Sequence, residues 1–270
     1  MEPIRLGLIG LGAWGRRYVS TIAALKDIVL ARTATRQWRE LIAAGDVDGV
    51  IVATPPGSHA EMATAAIEAK LPVLIEKPLT QNAAEARELL KLAQKESALV
   101  MVEHTYLFHP AYAELKKRAG TLGAIRSIRS IGGNLGPFRE ATPPLWDYGP
   151  HDLSLCLDLI GQAPQSAKAT KLESSPEGEN WRLDLAFKKG VTAEIVLGNI
   201  FKARQRRFEA VFEKGALFFD DVKRLPEPFP AALPLGCAVE SFSAAIRSKS
   251  KDLGGLKLGV LIVEILEGLI

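Results

Sequence analysis

Glycines 10, 12 and 15 stand in the spacing G-x-G-x-x-G, between an apolar run at residues 4–9 and a helix-compatible segment at 16–25. Gly10 suits a tight turn, Gly12 lets a backbone approach a pyrophosphate, and Gly15 lets a helix pack closely on a strand. Ala13 and Trp14 complete the loop. A helix starting there directs free N–H groups and a partial positive charge at an anion, so the chemistry implied is dinucleotide binding. The glycines alone are a weak signal; the strand before them and the helix after them make it strong.

The elements around this loop follow from periodicity. Strand-type segments at 28–34, 49–54, 72–75 and 98–102 alternate with helix-type segments at 38–44, 60–69 and 82–95, with Asn82 as a cap. Such alternation predicts a parallel sheet with right-handed crossovers, whose ligand-binding loops gather at the carboxyl ends of the strands. Beyond Ala119 the pattern changes to strands at 124–132, 166–173, 181–187, 191–197, 207–212 and 216–219, joined by short turns. Helices at 150–160 and 238–247 complete an α+β region, and 224–234, rich in proline, reads as a rigid loop. An antiparallel sheet with helices on one face leaves its other face to be covered, and a second subunit is a common cover.

Composition bounds the function. The chain has 270 residues, enough for two domains, and a formal net charge of only +3, so nothing in it asks for nucleic acid. The basic run Lys202, Arg204, Arg206 and Arg207 reads as one solvated strand face. Two cysteines, Cys156 and Cys237, are too few for a disulfide framework and lack metal-ligand spacing, so no metal site is expected and a cytoplasmic setting fits. The first strand begins at once, which leaves no room for a signal peptide. Residues 256–270 are too short and too charged to span a bilayer and read as a last amphipathic helix; no membrane partner is expected.

Four landmarks fall in a recognisable order: Gly10-Leu-Gly12-Ala-Trp-Gly15, Ala53-Thr54-Pro55-Pro56-Gly-Ser-His59, Glu76-Lys77-Pro78 and Trp146-Asp147-Tyr-Gly149-Pro-His151. In this order and at these separations the chain resembles the Gfo/Idh/MocA oxidoreductases over nearly its whole length. The resemblance implies an α/β protein: a Rossmann domain over 1–118, then an α+β substrate-binding and oligomerisation domain over 119–270 with a mostly antiparallel, open-faced sheet. It implies a nicotinamide held at their junction, with Thr54, Pro55, His59, Glu76 and Lys77 along the cofactor, and a sugar, polyol or nucleotide sugar as the small-molecule substrate. Oxidising a secondary alcohol needs a hydride acceptor, a base for the hydroxyl proton and a cation beside the developing alkoxide. His151 and Lys77 are those residue types. Histidine titrates near working pH without heavy tuning, so His151 is assigned as general acid/base and Lys77 as the group that polarises the substrate oxygen; the reverse is open to a buried lysine. Asp147, four residues earlier, either shares a helical face with His151 or caps a helix starting at Pro150.

His104 and Tyr106 follow the fifth strand and are expected to face the substrate, with Asn134, Arg139 and Trp146 as further substrate contacts; the guanidinium of Arg139 suits a phosphate or carboxylate. His59 is equally readable as a satisfied surface histidine. Strand two departs from the pattern. NAD sites usually place an acid about 20 residues beyond the glycines, whereas the chain has Arg32, Thr33 and Arg36 and no acid between Asp27 and Glu40. These residues suit a 2′-phosphate, so NADP is preferred over NAD. The short crossover to strand three trims the adenosine pocket and keeps an alternative open: a catalytically silent, nucleotide- or sugar-sensing relative of the same fold. A homo-oligomer, dimer or tetramer, is expected through the open sheet face.

Overall fold

The computed structural model describes residues 2–138, 142–224 and 234–269. In its first part, β1 (Ile4–Ile9), α1 (Ala13–Ala23), β2 (Ile28–Ala34), α2 (Trp38–Ala43), β3 (Gly49–Val52), α3 (His59–Glu68), β4 (Val73–Glu76), α4 (Ala83–Glu96) and β5 (Val100–Glu103) alternate as the periodicity predicts. The five strands form one parallel sheet in the order β2-β1-β3-β4-β5. Strands β3 and β4 are buried at every position, which is why they read as continuous apolar runs without alternation. The Asn82 side chain accepts a hydrogen bond from the N–H of Glu85 at 3.0 Å, and so caps α4.

The second part holds a 3₁₀ turn at Thr105–Phe108, then α5 (Pro110–Ala119), β6 (Ile125–Leu135), α6 (Pro144–Ile160), β7 (Ser166–Ser174), β8 (Glu179–Ala186), β9 (Thr192–Gly198), β10 (Ile200–Phe212) and β11 (Gly215–Asp220). Its six strands run in the order β11-β10-β6-β9-β8-β7, antiparallel except for the β6–β9 pair. Helix α6 packs on β6, β8 and β9. The opposite face is polar and solvent-accessible: Arg129 of β6 stands opposite Glu194 of β9 and Glu209 of β10.

Helices α7 (Pro234–Arg247) and α8 (Gly254–Glu267) end the chain. The compact units are Met1–Thr105 with Ala232–Glu264, and Tyr106–Ala231 with Ile265–Ile270. This differs from a division at 118/119: Leu235, Val239 and Phe242 of α7 bury themselves with Leu6, Leu8, Tyr18 and Ile22 in the core of the first unit. Apolar burial is non-directional, so the sequence of α7 does not say which sheet it will cover.

Two local expectations need correction. Helix α6 begins at Pro144, with Pro150 in its interior, so Asp147 lies in its first turn and does not cap a helix starting at Pro150. Proline suits the first turn, as at Pro144; Pro150, one turn further in, lacks the N–H that would have bonded Trp146 O and sets its ring against that carbonyl. The basic run is not one solvated face either. Lys202, Arg204 and Arg207 are exposed, but Arg206 is 4% exposed and points inward with Phe208, Ala210 and Phe212. Among the described residues no helix is long and apolar enough to cross a membrane.

Candidate active site

The glycine loop is built as its spacing predicts. Gly10 has φ +100° and its N–H donates to Ala34 O at 2.8 Å, and a Cβ on Gly15 would lie 2.0 Å from Gly10 O. A Cβ on Gly12 would meet nothing within 4 Å, and no acidic residue stands in the first turn of α1. Open space at Gly12 beside free helix N–H groups fits the pyrophosphate of a dinucleotide. Trp14 lies beneath the Arg17 guanidinium, 4.4 Å from its ring centroid, and Ala13 begins the helix.

Thr54, Pro55, Glu76 and Lys77 also lie at the carboxyl ends of the strands, with His59 at the start of the helix after β3. His59 is not a surface residue: it is fully buried, its ring nitrogens 2.8 Å from Thr54 O and 3.0 Å from Pro78 O. Burial pushes its pKa down, so the ring is neutral and donates one of these bonds at a time. It ties the loop of Thr54 and Pro55 to that of Lys77 and the cis Lys77–Pro78 bond. Lys77 is 8% exposed and follows Glu76, whose strand partner is Glu103. Both carboxyl groups are buried; Tyr18, which the sequence reading missed, donates to Glu76 Oε1 at 2.9 Å, and Thr105 donates to Glu103 Oε2 at 2.5 Å. Burial, then the neighbouring Glu76, pushes the pKa of Glu103 up to about 8. His104 is 1% exposed and neither ring nitrogen has a hydrogen-bond partner among the described residues; burial, then Lys77, holds its pKa down at about 3.

At strand two, Arg32 is opposite Gly7 of β1, short of the glycine loop, and its Nε donates to Asp46 at 2.6 Å. Thr33 and Arg36 are exposed, with Arg36 just beyond the end of β2 where Gly10 meets Ala34.

In the second unit α6 carries Trp146, Asp147 and His151. Asp147 and His151 are one turn apart on one helical face; Trp146 and Asp147 are buried, at 5% and 7% exposure. Tyr106 meets His151 edge to face, with ring centroids 5.3 Å apart. His109, which starts α5 by accepting from Ala111 N–H at 3.1 Å, stacks on Phe219 at 5.5 Å and donates to Asp221. That bond, with Arg204 beside it, holds the Asp221 carboxyl below its usual range. Asn134 is exposed near the end of β6, and Arg139 lies outside the described residues. The sequence reading missed Arg206 and Asp152, buried and joined at 2.8 Å (Nη1 to Oδ1). The signal was the inward alternation of 206, 208, 210 and 212 along β10.

Comparison with known proteins agrees with this geometry. The family model described as "Oxidoreductase family, NAD-binding Rossmann fold" matches residues 25–104. A solved structure from Magnetospirillum magnetotacticum, described as a candidate oxidoreductase, is 35% identical over all of both chains, with a TM-score of 0.91. Inositol 2-dehydrogenase of Corynebacterium glutamicum is 28% identical over 79% of this chain and 73% of its own. UDP-N-acetylglucosamine 3-dehydrogenase of Acidithiobacillus ferrooxidans is 26% identical over 79% and 72%. The chain belongs to the Gfo/Idh/MocA oxidoreductase family, with its NAD-binding Rossmann fold.

Proposed function

We propose that the protein is a nicotinamide-dependent dehydrogenase that interconverts a secondary alcohol and a ketone on a sugar, polyol or nucleotide sugar. The observation that carries this reading is the gathering of the glycine loop, Thr54 and Lys77 at the carboxyl ends of one parallel sheet, where dinucleotides bind. Bound nicotinamide would supply the acceptor for the hydride, with its two electrons. Of the protein's own groups, His151 takes the hydroxyl proton as the carbonyl forms, and Lys77 stabilises negative charge developing on the oxygen. Asp147 orients the imidazole or holds a neighbouring substrate hydroxyl. The named curated relatives are dehydrogenases, which favours turnover over silent sensing. The apoprotein, titrated with NADH and NADPH by nicotinamide fluorescence and then assayed with myo-inositol and UDP-N-acetylglucosamine, is expected to bind cofactor and oxidise one of these substrates or a close analogue. Binding of neither nucleotide would overturn the reading, and binding without turnover across a polyol and nucleotide-sugar panel would restore the sensor.

The finer assignment is NADP over NAD, carried by Arg36 with Thr33. With Arg32 engaged by Asp46, the guanidinium at the end of β2 is the one suited to a 2′-phosphate. Arg36→Asp is expected to weaken NADPH binding by roughly 10- to 100-fold, the worth of a charge-assisted contact, and to leave NADH within about threefold. Arg32→Ala should change neither. Equal losses for both nucleotides in Arg36→Asp would remove the phosphate from this site. The protein is read as a cytoplasmic homo-oligomer joined through the alternating charges of the open sheet face, and a stable monomer at micromolar concentration by sedimentation would contradict the assembly.

A further inference from the structure

We propose that Arg206, with its partner Asp152, is a positioning residue for His151: the buried pair fixes the ring of Tyr106, and Tyr106 fixes the imidazole. The inference rests on His151 as the acid/base group and adds residues that neither the family resemblance nor the alcohol chemistry requires.

The pair is built into the sheet. Arg206 is 4% and Asp152 0% exposed, and Ser130 of β6 donates to the same Asp152 oxygen at 2.6 Å. Between them β6 carries Gly132, where a Cβ would lie 2.6 Å from both terminal guanidinium nitrogens and from Asp152 Oδ2. Glycine here leaves the space that the two charged groups fill. Burial, the largest single influence, opposes the guanidinium charge, but Asp152 and Tyr106 together outweigh it and hold the pKa of Arg206 above its usual value. The flat cation lies against Tyr106, its Cζ 4.3 Å from the ring centroid, and the same ring meets His151 edge to face. On a further side Tyr106 stacks with His109 at 6.3 Å. The ring that touches the imidazole is therefore held by two neighbours, one of them ionic.

Stability does not explain the pair. Asp152 Oδ2 and Arg206 Nε are buried with no hydrogen-bond partner among the described residues. A buried ion pair with unsatisfied atoms is commonly neutral or unfavourable beside an apolar pair of similar volume. What it supplies is a planar cation at one fixed place, and Asp152, next to His151 in α6, links that cation to the helix turn bearing the imidazole.

The test uses the four histidines of the chain as reporters in the whole protein. With ¹³C-labelled histidine, the His151 ring signals are assigned by their loss in His151→Asn. In the double variant Arg206→Met/Asp152→Leu, those signals are expected to move toward the values of a solvent-exposed histidine. Tm should hold or rise, and kcat should fall roughly 10-fold or more with cofactor affinity unchanged, the cost of a misplaced catalytic group. Unmoved His151 signals would overturn the proposal, as would a fall in Tm that tracks the activity, which would make the pair merely structural. Arg206→Lys, which keeps the charge and its partner but loses the planar face, provides the same readout if the double variant does not fold; unmoved signals there overturn the proposal too. Full activity in His151→Asn would instead sink the acid/base assignment while the NMR result still reports on the support.

Discussion

Changing His151 to asparagine is expected to lower kcat by roughly 10²- to 10⁴-fold, the span that a positioned acid or base contributes. Cofactor affinity should stay within about twofold, because removing a proton acceptor leaves the dinucleotide contacts untouched, and the glycine loop belongs to the other compact unit. Lys77→Met should lose a comparable factor by a different route, since it removes the charge that favours a developing alkoxide, an effect of about 10²- to 10³-fold for a single donor. The two assignments separate by rescue. Added imidazole should restore part of the rate to His151→Ala and none to Lys77→Met, because only the first has lost a proton acceptor. Rescue of Lys77→Met by a small primary amine, with His151→Ala indifferent to imidazole, would reverse the roles. An unchanged kcat in His151→Asn would remove the residue from the chemistry.

What was legible in the sequence was what the chain encodes locally. The glycine loop, the Asn82 cap and the alternation of strands with helices each depend on contacts within about a dozen residues, and each appears as read. The departures come from groups whose partners are distant in sequence. Arg206 looked like part of a solvated basic run, yet its environment is set by Asp152 on another element and by a register shift in the β10–β6 pairing between Ile200 and Gln205. Arg32 showed no partner in the sequence, whereas in the fold it pairs with Asp46, 14 residues on. His59 could be read as a cofactor neighbour or as a surface histidine, and two carbonyl oxygens from separate loops close around it. Tyr18 gave no sign, because its partner Glu76 lies 58 residues away. Polar side chains were harder to place than apolar ones for one reason. Apolar burial follows periodicity, whereas a buried polar group needs a named partner that only the tertiary structure supplies.

The Glu76–Glu103 pair makes the largest stability prediction. Two carboxyl groups on neighbouring strands, both buried, cannot both ionise at low cost, and burial first, then the charge of Glu76, keeps the proton on Glu103. The folded pKa of Glu103 is about 8, against an ordinary 4.5 in the unfolded chain. Below about pH 4.5 the group is protonated in both states and contributes no pH dependence. Between about 4.5 and 8 the unfolded chain has released a proton that the folded chain keeps. Unfolding is then favoured by up to about 1.4 kcal/mol for each pH unit of rise, and the loss levels off above 8. Glu103→Gln should therefore flatten the decline of Tm between pH 5 and 8 and raise Tm at pH 8 by several degrees, since the buried amide carries no ionisable proton. Parallel pH–Tm curves for the two proteins would mean that Glu103 does not hold the proton. Glu76→Gln should relieve the same repulsion. Because burial is the larger cause of the Glu103 shift, Glu76→Gln should keep part of the decline of Tm with pH, whereas Glu103→Gln should remove it; equal flattening by the two would make repulsion the dominant cause.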